Sequence, residues 1–240
     1  MTVATGRDTD RQYRLPLTDE IRSFADLTVT GSNQAALAAI RQPDAWQSAS
    51  MILIGPRRCG LGAIGQLWAD ETGGRPLSAA ELDALPLAEV EQIALKNSVV
   101  DLAEKVQNEA HFLTLLNLSR SHGTRTLFTA RTAPANWAFN SADLRSRLEA
   151  TPVVEIYPPD EDMLRLRLLA SCKRHFIHLN DNTVKFLSVR LPRSYLAIED
   201  YVVCLDAAIE TTGRAPTINL AKEVLEAGLG SYKLFDDGLE

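Results

Sequence analysis

Two rhythms of apolar residues divide this chain. Met51, Ile52, Leu53 and Ile54 form a continuous apolar run ending at a glycine, the pattern of a strand buried on both faces. Ser98–Asp101, then Thr126, Leu127, Phe128 and Thr129, then residues 153–156, repeat that pattern. Helical spacing fills the intervals. Residues 109–121 carry Phe112, Leu115, Leu116 and Leu118 on one face, and Gly123 stands where such a helix would stop. Gln34–Ile40 predicts a short helix with Asn33 as its cap and Pro43 beyond its end. Another helix runs through Leu67, Trp68 and Ala69, after a glycine-bearing turn. Strands alternating with helices predict a parallel α/β sheet. Beyond Pro158 and Pro159 only helical patterns remain, over 160–170, 182–190, 195–211 and 219–227. The expected organisation is a polar tail over 1–22, an α/β base over 23–157, a helical lobe over 158–233 and a short end segment over 234–240.

Composition narrows the class. The chain has 240 residues and a formal net charge of -6, which argues against a broad basic surface coating nucleic acid. No apolar run reaches the roughly 18 residues of a membrane span, and residues 1–10 lack the apolar core of an export signal. Three scattered cysteines, Cys59, Cys172 and Cys204, offer no disulfide framework and suit a reducing cytoplasm.

The candidate chemistry begins after the first strong strand. Gly55, Pro56, Arg57, Arg58, Cys59, Gly60, Leu61 and Gly62 follow it and open a helix, in the frame G-x-x-x-x-G-K-[ST] of a phosphate-binding loop. In a working loop, backbone N–H groups and the helix N-terminus hold the phosphates. A lysine reaches the outer phosphates, and a hydroxyl holds magnesium. Here Leu61 stands at the lysine position and Gly62 at the hydroxyl position. Leucine cannot neutralise phosphate and glycine offers a metal no ligand, so the chain is expected to have little or no hydrolysis of its own. Backbone groups and Arg57 or Arg58 would still cradle a nucleotide; the other reading is a turn with two glycines at a chance spacing. Downstream, Val99, Val100 and Asp101 form an apolar strand ending in a carboxylate, with Glu104 three residues on. Asp101 would hold a magnesium-bound water and Glu104 would polarise an attacking one. The competing reading makes the two acids a capping pair for the next helix.

These motifs, with the stretch 127–132, Pro134 and Trp137, the segment Asp143, Leu144, Arg145, Ser146, Arg147 and Leu148, the segment 191–194 and the run 214–221, resemble those of Hda proteins. Hda proteins are DnaA-related AAA+ proteins that switch off the bacterial replication initiator, and the likeness is to their alphaproteobacterial HdaA group. It spans residues 12 to about 229. It implies an AAA+ P-loop fold with a helical lid. It also implies Thr129 as the sensor 1 position, Arg193 at the start of the sensor 2 helix, and Arg147 as an arginine finger acting in trans. A guanidinium suits that task because it is permanently charged and donates in a planar fork. Arg145 is the alternative finger if the register slips, and a solvated helix arginine is the plain alternative for either. ADP is the cofactor the family favours; Leu61 and Gly62 weaken that expectation here.

In the tail, Gln12, Leu15, Pro16 and Leu17 resemble the sliding-clamp-binding peptide Q-x-x-L-P-L. Pro16 disfavours helix at Leu15 and pre-sets an extended chain, which lowers the ordering cost of binding. The other reading is a leucine-proline-leucine that packs back on its own domain. The partners implied are the DNA polymerase III sliding clamp and DnaA, with self-association open. Sequence-specific DNA binding and membrane binding are not expected. Two further classes stay in play: an ATPase of the helicase-loader type, and a clamp- or DnaA-binding module that stimulates nothing. Cys172, His175 and His178 have metal-like spacing but lack a fourth ligand, so no metal is expected. Trp46, Trp68 and Trp137 read as packing residues.

Overall fold

The apolar runs at 50–54, 98–101 and 126–130 become buried strands, whereas the run at 153–155 forms a largely exposed edge strand. The computed structural model describes residues 23–232; Gln12, Leu15, Pro16 and Leu17 lie outside them. Five parallel strands form one sheet in the order β2 (Arg75–Ser78), β3 (Ser98–Asp101), β4 (Thr126–Ala130), β1 (Ser50–Ile54), β5 (Val153–Glu155). β4 and β1 sit at the centre and are almost wholly buried. The expected strand at 153–156 ends at Glu155, although the Ile156 N–H still donates to the Ile54 carbonyl at 2.8 Å.

The helix α1 (Gln34–Ile40) forms where its pattern predicts, but Asn33 does not cap it. The Asn33 side chain accepts from the Thr30 N–H and donates to the Thr28 carbonyl, which folds the preceding turn instead. α2 (Leu61–Thr72) follows the loop and lies unusually close to the sheet. Gly65 permits this, since a Cβ there would meet a Val99 methyl at 3.0 Å. Trp68 on α2 stacks on Trp46 at 5.6 Å and donates to the Ile40 carbonyl, so both tryptophans pack the layer that holds the loop in place. Strand β2 and helices α3 (Ala79–Ala84) and α4 (Leu87–Ala94) add an edge that the apolar pattern leaves undivided. Only Leu77 of β2 is buried, so the strand has no apolar run to reveal it. α5 (Glu109–His122) buries Phe112, Leu115 and Leu116, and Gly123 ends it in the left-handed region at φ 71°. Trp137 joins Phe112 in an aromatic cluster beneath α5.

After α6 (Ala142–Glu149) and β5, the chain is helical: α7 (Glu161–Arg174), α8 (Asp181–Ser188), α9 (Tyr195–Thr212) and α10 (Ile218–Tyr232). These helices have their own core, around Leu168, Leu187, Ile198 and Val202. Met163 and Tyr195, at the starts of α7 and α9, belong instead to the core of the base, with Leu53, Leu61 and Trp68.

Candidate functional site

The carboxyl ends of β1, β3 and β4 converge at the phosphate-loop frame. Gly55 leaves β1 with its N–H on the Ala130 carbonyl, and Gly60 takes φ 103°, a conformation open to glycine, to start α2. Between them Arg58 holds φ 65°, while Arg57 and Arg58 both direct their exposed side chains away from the core. Leu61 is only 1% exposed and packs into the core of the base beside Ile64, Met163 and Tyr195. The position that would extend a lysine to phosphate is therefore a packing residue.

Asp101 and Thr129 meet across β3 and β4. The Thr129 hydroxyl donates to Asp101 Oδ1 and also accepts the Leu102 N–H at 3.1 Å. A Cβ added at Gly62 would lie 3.6 Å from Asp101 Oδ2. A hydroxyl residue at position 62 would thus face that carboxylate, the pairing that holds magnesium in a working site. The carboxylate half of the pair is in place; its hydroxyl half is missing.

The capping reading of Asp101 and Glu104 fails. Leu102, at φ 54°, breaks the chain after β3 and only a single 3-10 turn follows, with no side-chain cap from Asp101. Glu104 Oε1 instead accepts the Arg131 N–H at 3.1 Å, and Glu104 Oε2 is buried without a partner among the described residues.

Three further residues of the site were assigned no role from the sequence. Arg131, leaving β4, donates to the Pro56 carbonyl at 2.7 Å and to that of Gly55 at 3.4 Å. Arg167, on α7, donates to the Arg58 carbonyl at 2.9 Å, and its guanidinium lies 5.6 Å from the centre of the Tyr195 ring. Tyr195 donates to the Tyr157 carbonyl and shares a hydrogen bond with Ser32. Arg131 lies within the stretch 127–132 that holds Thr129, so that motif was its signal. Arg167 and Tyr195 gave none, because their role depends on how the lid folds back. Burial pushes the Cys59 thiol up, against the opposing pull of Arg131, so Cys59 stays a neutral thiol at neutral pH.

Arg193 is exposed and does not line the cavity between base and lid; its charge acts on Asp160. Arg147 is on the last turn of α6, in a groove with Ser48, Ala49 and Ser50 at the start of β1, with its side chain 39% exposed. Its Nε donates to Asp143 Oδ1 at 2.9 Å, one helical turn back. Arg145, on a different face of α6, reaches the Phe139 carbonyl at 3.4 Å. In the lid, Cys172 is buried with its thiol pushed up to about 12 by desolvation, His175 pairs with Asp206 at 2.7 Å, and His178 is exposed.

No family model and no curated protein matches the chain. Among solved structures it is similar to domain III of the Thermotoga maritima replication initiation protein DnaA. The identity there is 16%, over 89% of this chain and 98% of that one, with a TM-score of 0.67. It is also similar to a DNA replication initiation factor at 14% identity over 78% of this chain, with a TM-score of 0.65, and spans 65% of that protein's length. A point mutant of Thermotoga maritima RuvB matches at 13% identity over 86% of this chain and 72% of that one, with a TM-score of 0.63. At these identities the likeness shows the fold alone: an AAA+ P-loop sheet sandwich followed by a small helical domain.

Proposed function

We propose, from the AAA+ fold as premise, that this chain is a negative regulator of DNA replication initiation. It would bind the DNA polymerase III sliding clamp through Gln12, Leu15, Pro16 and Leu17, and stimulate ATP hydrolysis by the initiator DnaA through Arg147. Its own loop would hydrolyse little or nothing, and it would work in the cytoplasm. The observation that carries this reading is the contrast between two sites. Leu61 is buried where a phosphate lysine belongs, whereas Arg147 is partly accessible and steadied by Asp143 through Nε. A cation held in this way can stabilise charge on a neighbour's transferring phosphoryl group.

The test is DnaA-ATP hydrolysis reconstituted with clamp, DNA and this protein, each omitted in turn. Arg147→Ala is expected to remove the stimulation, by roughly 10³-fold for a full arginine finger, and to leave clamp binding intact. Normal stimulation by that variant defeats the assignment. Clamp or DnaA binding with no stimulation by the wild type would make the protein a docking module only.

A second reading, an ATPase of the DnaA or helicase-loader type, draws on the meeting of Asp101, Thr129 and position 62. It predicts turnover by the isolated chain on the order of one per second.

A further inference from the structure

Several polar groups of the loop that should hold phosphates are engaged by the protein itself. The Cys59 side chain folds back over the loop, so closely that a Cβ on Gly55 would meet its sulfur at 2.8 Å. The Leu61 N–H and the Arg131 guanidinium both face that sulfur, and the Cys59 N–H is bonded to the Pro56 carbonyl. These are donors of the kind a phosphate would need. Arg131 is further tied to the carbonyls of Gly55 and Pro56, and Arg167 fastens the lid to the loop at the Arg58 carbonyl. What remains between base and lid is a cavity of about 190 Å³ lined by Leu27, Cys59, Ile64, Met163, Arg167 and Tyr195, among others. Ligand pockets generally measure about 300–1,000 Å³. A nucleoside diphosphate with magnesium would have to displace Cys59 and Arg131. It would find no lysine and no hydroxyl in return, so the residues present do not fit the group.

We infer that this chain does not take a nucleotide: Cys59, Arg131 and Arg167 close the loop from within, and Arg167 clasps lid to base at the loop. The lid geometry is then independent of ADP and ATP. A second copy of this chain, equally closed, cannot offer Arg147 a nucleotide, so the surface bearing Arg147 is for a nucleotide-loaded AAA+ protein of another kind. This last step rests on the proposed role of Arg147; the closure of the loop does not.

The test is calorimetric titration of the full chain with Mg·ADP and Mg·ATP, after unfolding and refolding to strip any carried nucleotide, with native circular dichroism and a cooperative melt required first. No saturable binding up to 1 mM is expected, and one-to-one binding tighter than 1 mM overturns the inference. In parallel, alkylation of Cys59 is followed by mass spectrometry, with exposed Cys204 as the internal reference. Arg167→Ala is expected to speed Cys59 labelling at least fivefold and leave Cys204 unchanged, and equal Cys59 rates overturn the clasp. The wild-type titration decides the closure even if the variant fails to fold. A chain that binds ADP and still stimulates DnaA through Arg147 would sink this inference alone, and a nucleotide-free chain that fails to stimulate would sink the functional reading alone.

Discussion

At position 61 the side chain is enclosed by residues from both base and lid, which decides what reverting it would do. Leu61→Lys places an ammonium in the apolar cluster that holds Ile64, Met163 and Tyr195. An unpaired buried charge costs several kcal/mol. The expected outcome is a fall of melting temperature by about 6 °C or more, at about 2–4 °C per kcal/mol for a chain of this size, with no gain of ATPase activity. A thermal melt and a phosphate-release assay check both, and a stable, active variant would mean that the leucine blocks nothing. The tail peptide is also a matter of single residues. Gln12→Ala, or replacement of Leu15 and Leu17, is expected to weaken clamp binding at least tenfold, about 1.4 kcal/mol. Surface plasmon resonance on immobilised clamp measures it, and unchanged affinity removes the clamp from the account. The loop was legible in the sequence because it is a local string with fixed spacing, whereas the tail peptide lies outside the described residues.

Among the elements, α7 joins the two parts of the molecule. Its cap, Asp160, accepts the Met163 N–H at 2.8 Å through Oδ1 and the Ser32 N–H at 2.9 Å through Oδ2. One carboxylate thus starts the lid and anchors it to the turn before α1. Asp160→Ala is expected to cost about 1–2 kcal/mol in urea unfolding, the range of a lost N-cap. Asp160→Asn should retain much of this, because asparagine also caps; equal losses for the two would mean that the carboxylate charge matters more than the cap. The signal for this start was present in the sequence, where Asp160 precedes Glu161 and Asp162 at the head of an apolar helix. The edge formed by β2, α3 and α4 was not legible. β2 shows a single buried residue, α3 and α4 are short and parted by Pro86, and tertiary pairing with β3 supplies what the pattern lacks.

For the molecule as a whole, acid is expected to act first on the lid. Burial works to raise the Asp160 carboxyl, but hydrogen bonds from Met163, Thr30 and Ser32 outweigh it and leave it below its ordinary value. Glu199 follows the same logic: burial raises it, and Arg174 and Ser171 bring the net shift down. A carboxyl depressed in the folded state stabilises above its unfolded value, about pH 4, and this stability is lost as pH falls through the folded value. Melting temperature should therefore be level from pH 7 to about 5 and drop below pH 4, with Glu199→Gln flattening the drop; an unflattened drop in that variant would place the acid sensitivity elsewhere. The sequence by itself determined the parallel sheet, the helical lobe, the phosphate-loop frame and its missing lysine and hydroxyl. Those depend on local periodicity and on contiguous residues. Only the tertiary structure decided that Leu61 is core, that Asp101 faces position 62 and bonds Thr129, and that Arg131 and Arg167 lie on the loop. Such contacts join residues that are distant along the chain, up to 109 positions between Arg58 and Arg167. Nothing in the neighbourhood of either residue encodes the meeting; packing of the lid on the base brings it about.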